Sequence, residues 1–288
     1  MKVQSLSICV PTGRCVNNCA FCVSRMHNED YPNMLDSKNP HYDICYRDYV
    51  ERLAFARDNG CNTVMLTGTA EPQQNMTFLR EFGTMNKALT SPFRWVEIQT
   101  TGVLMDRNML RFLRNHVGVS TLSLSMSSFD WKKNMEYNGT PENLAIKLVE
   151  FSDMVKEYGY NLRLSLNMTD DFEKIGVEAI FRNIKIMKAD QVTFRKLYSK
   201  KGSEQEYWVD AHACSDDFLM QIEKHIRKNG ELIGILEYGQ EQWAYDGVSY
   251  VFDNDCMAKE VKATLKYLVL RPNARLYSSW DNKASLLF

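Results

Sequence analysis

The sequence lacks the long apolar runs of membrane and exported proteins. No window approaches the roughly 18 apolar residues of a membrane-spanning helix. The apolar stretch near the amino terminus, Leu6 to Val10, is too short for a secretory signal. Lys and Arg (35) nearly balance Asp and Glu (36), so we expect no general attraction to nucleic acid or to an anionic membrane. These features favour a cytoplasmic protein without a membrane or nucleic-acid partner.

The chain is also poor in segments that would separate domains. Its 14 glycines and 7 prolines form no Pro-, Gly- or Ser-rich linker, and the sequence shows no repeat or low-complexity tract. An apolar fraction of 44% and a charged fraction of 25% are those of an ordinary globular protein. A chain of 288 residues is long enough for one large α/β domain with a modest extension.

Up to about residue 200, short apolar strands alternate with helical segments. The predicted strands are Ser5–Pro11, Thr63–Leu66, Arg94–Gln99, Val119–Ser125, Asn161–Met168 and Gln191–Leu197. The predicted helices between them are Tyr46–Asn59, Gln73–Leu89, Asp106–Asn115, Pro141–Tyr158 and Phe172–Met187. Repeated strand–helix units call for parallel strands joined by right-handed crossovers.

After about residue 230 the pattern changes to hairpins. Asp246-Gly247 separates two aromatic-rich strands and is typical of a type I′ turn. A second hairpin is predicted from Leu268–Arg271 and Arg275–Tyr277. We therefore expect residues 231–288 to form a small β-rich extension of a domain spanning residues 1–230. Its aromatic residues either form the hairpin core or line a substrate pocket.

Three of the eight cysteines, Cys15, Cys19 and Cys22, lie within eight residues of one another. Such a loop can wrap one corner of a [4Fe–4S] cluster, each thiolate binding a different iron, and the missing fourth ligand leaves one iron open to a small molecule. A structural zinc site would need four ligands. His27 offers a fourth, but the sequence has no second CxxC pair. Both alternatives stay open on spacing alone.

The motif C-x3-C-x-Φ-C, with Phe21 as the aromatic residue, resembles the signature of the radical S-adenosylmethionine (SAM) superfamily. The resemblance covers roughly residues 5–200 and implies a partial TIM-type (β/α)6 barrel with the cluster loop after the first strand. It implies two cofactors, the [4Fe–4S] cluster and SAM. We expect the β-rich extension to close the mouth of this barrel.

The resemblance also implies SAM contacts at the ends of the strands. Thr69, Ala70 and Glu71 take the place of a Gly-Gly-Glu motif that grips the SAM amino group largely through backbone. The Thr-Ala departure requires a backbone without positive φ. Four further residues occupy positions that contact SAM in the family: Phe21 beside the adenine, Ser125 at the ribose or carboxylate, Asn167 at the ribose hydroxyls, and Leu197 against the adenine.

The implied activity is reductive cleavage of SAM to a 5′-deoxyadenosyl radical that takes hydrogen from a peptide, nucleotide or small metabolite. Such an enzyme is oxygen-sensitive and needs a one-electron donor of the flavodoxin or ferredoxin type. Cys256 is a candidate hydrogen donor. Too few cysteines follow residue 200 for an auxiliary cluster of the SPASM or twitch type. The alternative function is a non-enzymatic iron–sulfur or zinc protein for electron transfer or scaffolding.

A basic run extends from Arg195-Lys196 to Lys200-Lys201. It has the composition of a phosphate contact, but runs of charge more often form solvated loops. We therefore interpret it as a solvated loop.

Overall fold

The fold is described by a computed structural model over residues 2–27, 42–236, 239–254, 260–261 and 264–287. Cys256, the candidate hydrogen donor, lies outside the described residues. Within these ranges, no helix is both long and apolar enough to cross a membrane.

The central part of the sheet consists of six parallel strands that follow one another in sequence order. The two outer edges of the sheet do not pair with each other in the described part of the chain, so the barrel is open. The predicted partial barrel is confirmed. The six strands are β1 (Lys2–Cys9), β2 (Thr63–Thr67), β3 (Trp95–Thr100), β4 (Thr121–Met126), β5 (Asn161–Met168) and β6 (Gln191–Lys196).

Helices pack their apolar residues against one face of this sheet. Phe78, Leu79 and Phe82, for example, share a buried core with Leu6 and Leu66 of the strands. The helices of the described chain are Val23–Met26, Tyr42–Asp58, Met76–Ala88, Arg107–Phe112, Trp131–Tyr137, Leu148–Glu157, Asp170–Ile175, Val177–Ile186, Glu206–His212 and Asp216–Asn229.

Two helices predicted as continuous are divided, and for them the prediction was wrong. The segment 141–158 has a 3-10 turn at Glu142–Leu144 and a helix only from Leu148, because Ala145 and Lys147 take extended backbone conformations. The segment 172–187 is broken at Gly176, whose φ of +79° ends one helix and starts the next. The positions of the strands on either side are unaffected.

The strands after residue 230 extend one edge of the sheet beyond β6. They are β7 (Glu231–Ile235), β8 (Glu241–Tyr245) and β9 (Val248–Asp253). β9 pairs in parallel with β6, and β8 and β7 follow it in antiparallel fashion. Asp246 and Gly247 have φ values of +48° and +80°, as the predicted type I′ turn requires.

The remaining strands extend the opposite edge. β11 (Thr264–Leu270) pairs in parallel with β1, and β10 (Glu260–Val261) and β12 (Leu276–Tyr277) pair antiparallel to β11. The chain after residue 230 thus contributes strands to both edges of one sheet. Its expected role in closing the barrel mouth stays a prediction.

The carboxyl ends of β1 to β6 lie at one edge of the barrel, where the active sites of parallel barrels are found. Cys9 is level with Thr67, and Asn167 with Arg195. The loop that follows β1 and the segment that follows β2 therefore meet at this edge.

Candidate active site

The cysteine loop leaves the carboxyl end of β1. The backbone N–H of Val10 donates to the Thr67 oxygen (2.8 Å), so the pairing of β1 with β2 continues into the first residue of the loop. Cys15, Cys19 and Cys22 are partly exposed and form no disulfide. Their thiols therefore stand at the edge of the barrel that carries the strand ends.

The protonation of these thiols depends on their surroundings and, at Cys15 and Cys19, on a neighbouring thiol of the loop. Burial is the main cause that raises the pKa of each of them. At Cys19 the charges of Cys22, Glu71 and Cys15 raise the pKa further. Backbone N–H groups at the start of the next helix act the other way at Cys22. Because these thiols and Glu71 are close together, their negative charges repel one another, and the thiols stay protonated when no cation is bound. A bound cation offsets that repulsion and favours the thiolates.

The carboxylate of Glu71 is buried and surrounded by donors from three segments. Its Oε1 accepts from Asn17 Nδ2 (3.2 Å) and Thr101 Oγ1 (2.8 Å). Its Oε2 accepts from Gln73 Nε2 (2.8 Å) and Thr100 Oγ1 (2.5 Å). The backbone N–H of Thr101 donates to both oxygens (3.2 Å each). The hydrogen-bonding capacity of the Glu71 side chain is therefore used by the protein itself, which leaves the backbone of this segment for the predicted SAM contact.

Asn17 brings the cysteine loop into this network. It stands between Cys15 and Cys19, donates to Thr101 Oγ1 (2.8 Å) as well as to Glu71, and accepts from Thr140 Oγ1 (3.0 Å). A buried hydrogen-bond network that joins several segments restricts the conformation of each of them. The position of the cysteines thus depends on Glu71.

Two neighbours of Glu71 hold the first half of the same loop. Gln74 accepts from the backbone N–H of Val16 (3.2 Å) and donates to the Arg14 oxygen (3.0 Å). Asn75 donates to the Pro11 oxygen (2.5 Å). Sequence reasoning missed both residues, because nothing but their nearness to Glu71 marks them.

The second half of the cysteine loop rests on the backbone after the helix Trp131–Tyr137. Asn18 N donates to the oxygens of Asn138 and Gly139 (3.1 Å each), and Ala20 N donates to the Tyr137 oxygen (3.1 Å). Gly139 has a φ of +54°, and a Cβ there would lie 2.5 Å from the Asn18 oxygen. Only glycine allows this close approach.

The segment Thr67–Pro72 turns directly beside the loop. Gly68 has a φ of +154°, and a Cβ there would lie 3.2 Å from the Val10 oxygen. Neither Thr69 nor Ala70 has a positive φ, so the Thr-Ala departure from Gly-Gly is accommodated by the backbone.

Ser125 and Asn167 lie at the ends of adjacent strands and are hydrogen-bonded to each other. Asn167 Nδ2 donates to Ser125 Oγ (3.1 Å) and to Ser127 Oγ (3.3 Å). Ser127, which is fully buried, was missed by sequence reasoning. The structure brings these two predicted residues together at the strand-end edge.

The two apolar residues predicted to hold adenine lie in different surroundings. Phe21 packs against Trp208, with ring centroids 5.6 Å apart, and Trp208 stacks on His212 at 4.3 Å. Leu197 directly follows β6 and is partly exposed. Sequence reasoning gave no signal for Trp208.

A cavity of about 450 Å³ lies on the face of the sheet opposite the helices. Thr69 lines it, as do Val23 and Ser24, which directly follow Cys22. Ligand pockets commonly have volumes of roughly 300–1,000 Å³. The cavity therefore opens from the neighbourhood of the cysteine loop into the barrel.

A family model described as "Radical SAM superfamily" matches residues 9–171. That range starts at the end of β1 and holds the cysteine loop, Thr69–Glu71, Ser125 and Asn167. This chain belongs to the radical SAM superfamily. The family uses a [4Fe–4S] cluster together with SAM. No curated protein matches the sequence.

Solved structures of radical SAM enzymes share the fold. SuiB of Streptococcus suis bound to S-adenosylmethionine gives a TM-score of 0.62 at 15% identity and covers 96% of this chain. Native anSMEcpe with bound AdoMet gives 0.62 at 14% over 99% of this chain. HemN, the coproporphyrinogen III oxidase of Escherichia coli, gives 0.56 at 14% over 85%. This chain spans 60% of SuiB, 77% of anSMEcpe and 56% of HemN.

The donor set at the radical SAM loop fits an iron–sulfur cluster. Three thiols are soft ligands that suit iron–sulfur chemistry. Among the residues that the structure describes, no three His, Cys, Asp or Glu side chains converge to hold a single metal ion. A [4Fe–4S] cluster does not require its ligands to converge on one point, because each thiolate binds a separate iron.

Proposed function

We propose that this chain holds a [4Fe–4S] cluster through Cys15, Cys19 and Cys22 and cleaves SAM reductively for radical chemistry on a substrate. The observation that carries the proposal is the position of the three thiols. They lie on a loop fixed by the Glu71 network, at the strand-end edge, beside a cavity lined by Thr69.

When bound, the cofactors supply a 5′-deoxyadenosyl radical that takes a hydrogen atom from the substrate. The protein binds and orients the cofactors and the substrate, and it excludes water from them. Glu71 and Asn17 hold the cysteine loop in one conformation. Pre-organisation of this kind keeps the reacting atoms in contact and avoids side reactions.

The SAM contacts that we propose are divided between backbone and side chains. The backbone of Thr69, Ala70 and Glu71 receives the amino group. Ser125 contacts the ribose or carboxylate and Asn167 the ribose hydroxyls, and their mutual hydrogen bond keeps the two side chains together. Phe21 and Leu197 pack against the adenine.

The extension of residues 231–288 closes the cavity in this proposal. Asp253 of β9 and Lys266 of β11 come from opposite sides of the six parallel strands β1 to β6, yet they form a buried ion pair of 2.8 Å. Tyr267 and Trp280 complete the lining on the β11 side. Water exclusion of this kind protects a reactive intermediate.

The family needs a substrate and a one-electron donor. For this chain we propose a donor of the flavodoxin or ferredoxin type and a small-molecule or peptide substrate. A structure of native anSMEcpe holds AdoMet and the Cp18Cys peptide; it gives a TM-score of 0.57 at 15% identity over 79% of this chain.

The test is SAM cleavage by protein reconstituted without oxygen. Dithionite-reduced wild type is expected to release 5′-deoxyadenosine, at least slowly, without substrate. Cys19→Ala is expected to release none, whereas Cys45→Ala, which removes a thiol outside the loop, is expected to behave as wild type. Absence of 5′-deoxyadenosine from iron-loaded wild type would favour an electron-transfer or scaffold protein.

A further inference from the structure

The inner face of the barrel carries many polar side chains among its apolar ones. The interior of a TIM-type barrel is ordinarily filled by branched apolar side chains. Here the alternate residues that share the inner face of β6 are Gln191, Thr193 and Arg195, and those of β9 are Ser249, Val251 and Asp253.

The same polarity continues around the cavity. Glutamine amides and hydroxyl groups line it from several strands, and they suit a substrate rich in hydrogen-bonding groups better than an apolar one. The lining residues of this kind are Gln4, Ser5, Ser7, Ser24, Thr63, Thr67, Thr69, Gln99, Gln191, Thr193, Gln240, Gln242 and Ser249.

Cations outnumber acids in this lining. The described residues around the cavity include Arg163, Arg195, Lys266 and Arg271, against a single carboxylate, Asp253. Arg163 forms an ion pair with the buried Glu97 and donates two hydrogen bonds to the Gln191 side chain. Arg271 donates to the Trp280 oxygen (2.6 Å).

One cation has weaker protein contacts than the others. Asp253 is in direct contact with Lys266 Nζ (2.8 Å), whereas its distance to Arg195 Nε is 3.9 Å. That Nε is buried and has no hydrogen-bond acceptor within the described chain. The guanidinium of Arg195 is therefore within ion-pair distance of Asp253, but the nearer Lys266 makes the direct hydrogen bond to that carboxylate.

Arg195 also lies at the end of the barrel where the carboxyl ends of the strands and the cysteine loop are found. It is the last residue but one of β6, level with Asn167 on one side and Asp253 on the other. A group bound at Arg195 would thus lie at the strand-end edge, where the cysteine loop and Thr69 also lie.

We propose that the substrate carries an oxyanion, a carboxylate or a phosphate, which binds to Arg195 while the rest of the molecule is hydrogen-bonded in the glutamine-lined cavity. This inference rests on the proposed function, because it assigns the substrate to the cavity beside the SAM site. A guanidinium presents a planar pair of donors that matches both kinds of oxyanion.

The experiment compares charged probes with neutral analogues of similar size. Cluster-loaded wild type, both without SAM and saturated with it, is titrated calorimetrically without oxygen with succinate and succinamide, and separately with glycerol 3-phosphate and glycerol. We expect at least one anion to bind about tenfold more tightly than its neutral analogue, as a charge-assisted contact should give. Which anion is preferred distinguishes carboxylate from phosphate.

Variants on one strand localise the effect. Arg195→Gln is expected to lose the preference for the anion, and Arg195→Lys to retain part of it. Lys196→Gln is the matched control. It removes a cation one residue further along β6, where Lys196 is exposed and pairs with Asp216 (2.5 Å), and it is expected to leave binding unchanged.

Three results would overturn the inference: equal binding of anion and neutral analogue by wild type, an undiminished preference in Arg195→Gln, or loss of anion binding when SAM is present. The last would assign Arg195 to the SAM carboxylate. Assay of 5′-deoxyadenosine in the same wild-type sample separates the two proposals. Its release without anion preference would refute only the substrate inference, and anion preference without its release would refute only the proposed function.

Discussion

Replacing Glu71 by glutamine isolates the network that holds the cysteine loop. The substitution keeps the size of the side chain but turns one acceptor oxygen into an NH2 group. Either oxygen of Glu71 accepts from two side-chain donors, an amide and a hydroxyl. The hydroxyl can rotate and accept a hydrogen bond from the new NH2 group. The amide NH2 group of Asn17 or Gln73 cannot accept one, so it would face that NH2 group without an acceptor.

One or two buried donors thus lose their acceptor in Glu71→Gln, at about 1–3 kcal/mol each. We expect the free energy of unfolding to fall by about 2–4 kcal/mol and the reconstituted protein to hold clearly less iron than wild type. Urea unfolding of the metal-free protein and iron and sulfide analysis measure the two effects. Glu157→Gln, which removes an exposed partner of Arg107, is the control.

The fraction of Glu71→Gln that still holds iron decides between two roles. If Glu71 only positions the loop, that fraction should bind SAM with the affinity of wild type. Full iron content and unchanged stability, together with weakened SAM binding, would show that the side chain serves SAM and that the network argument is wrong.

Three further predictions follow from buried contacts. Gly139→Ala should lower iron content by displacing the cysteine loop, whereas Gly202→Ala, which has a φ of +81° but open space around it, should not; equal iron content in both would contradict this. Asp253→Asn should cost about 3–5 kcal/mol in urea unfolding at pH 7, because two cations lose a buried partner. Burial opposes ionisation, but those cations lower the pKa of Asp253 below its usual range, so its stabilising effect is present above about pH 4 and is lost as the pH falls through the folded-state pKa. A difference from wild type that does not shrink as the pH is lowered would refute this cause. Burial raises the pKa of Cys61 and Cys214 to about 12, so at pH 8 iodoacetamide should label them only in urea; labelling of the native protein, seen by mass spectrometry, would show that they are accessible.

The strand–helix alternation predicted the barrel because its strands are short, apolar and regularly spaced. Asn161–Met168 was predicted with the bounds that the structure gives. The breaks in two helices were not predicted, because the extended backbone of Ala145 and the left-handed Gly176 leave the apolar spacing around them intact.

The cysteine loop was recognisable because its ligands are close in sequence. The Glu71 network was not, since its members come from the segments after β1 and β2 and from the carboxyl end of β3, and only the fold brings them together. For the same reason Arg195, interpreted from sequence as part of a solvated loop, lines the cavity. Strand alternation places it on the inner face while Lys196 points outward.

The central claim is that three cysteines hold a four-iron cluster with one iron open to SAM. The most direct measurement is iron and acid-labile sulfide analysis of anaerobically reconstituted protein, with electron paramagnetic resonance of the reduced sample before and after addition of SAM. We predict about four irons and four sulfides per chain, a spectrum that changes when SAM is added, and loss of the cluster in Cys19→Ala. One bound zinc without labile sulfide, or a spectrum that SAM leaves unchanged, would contradict the account.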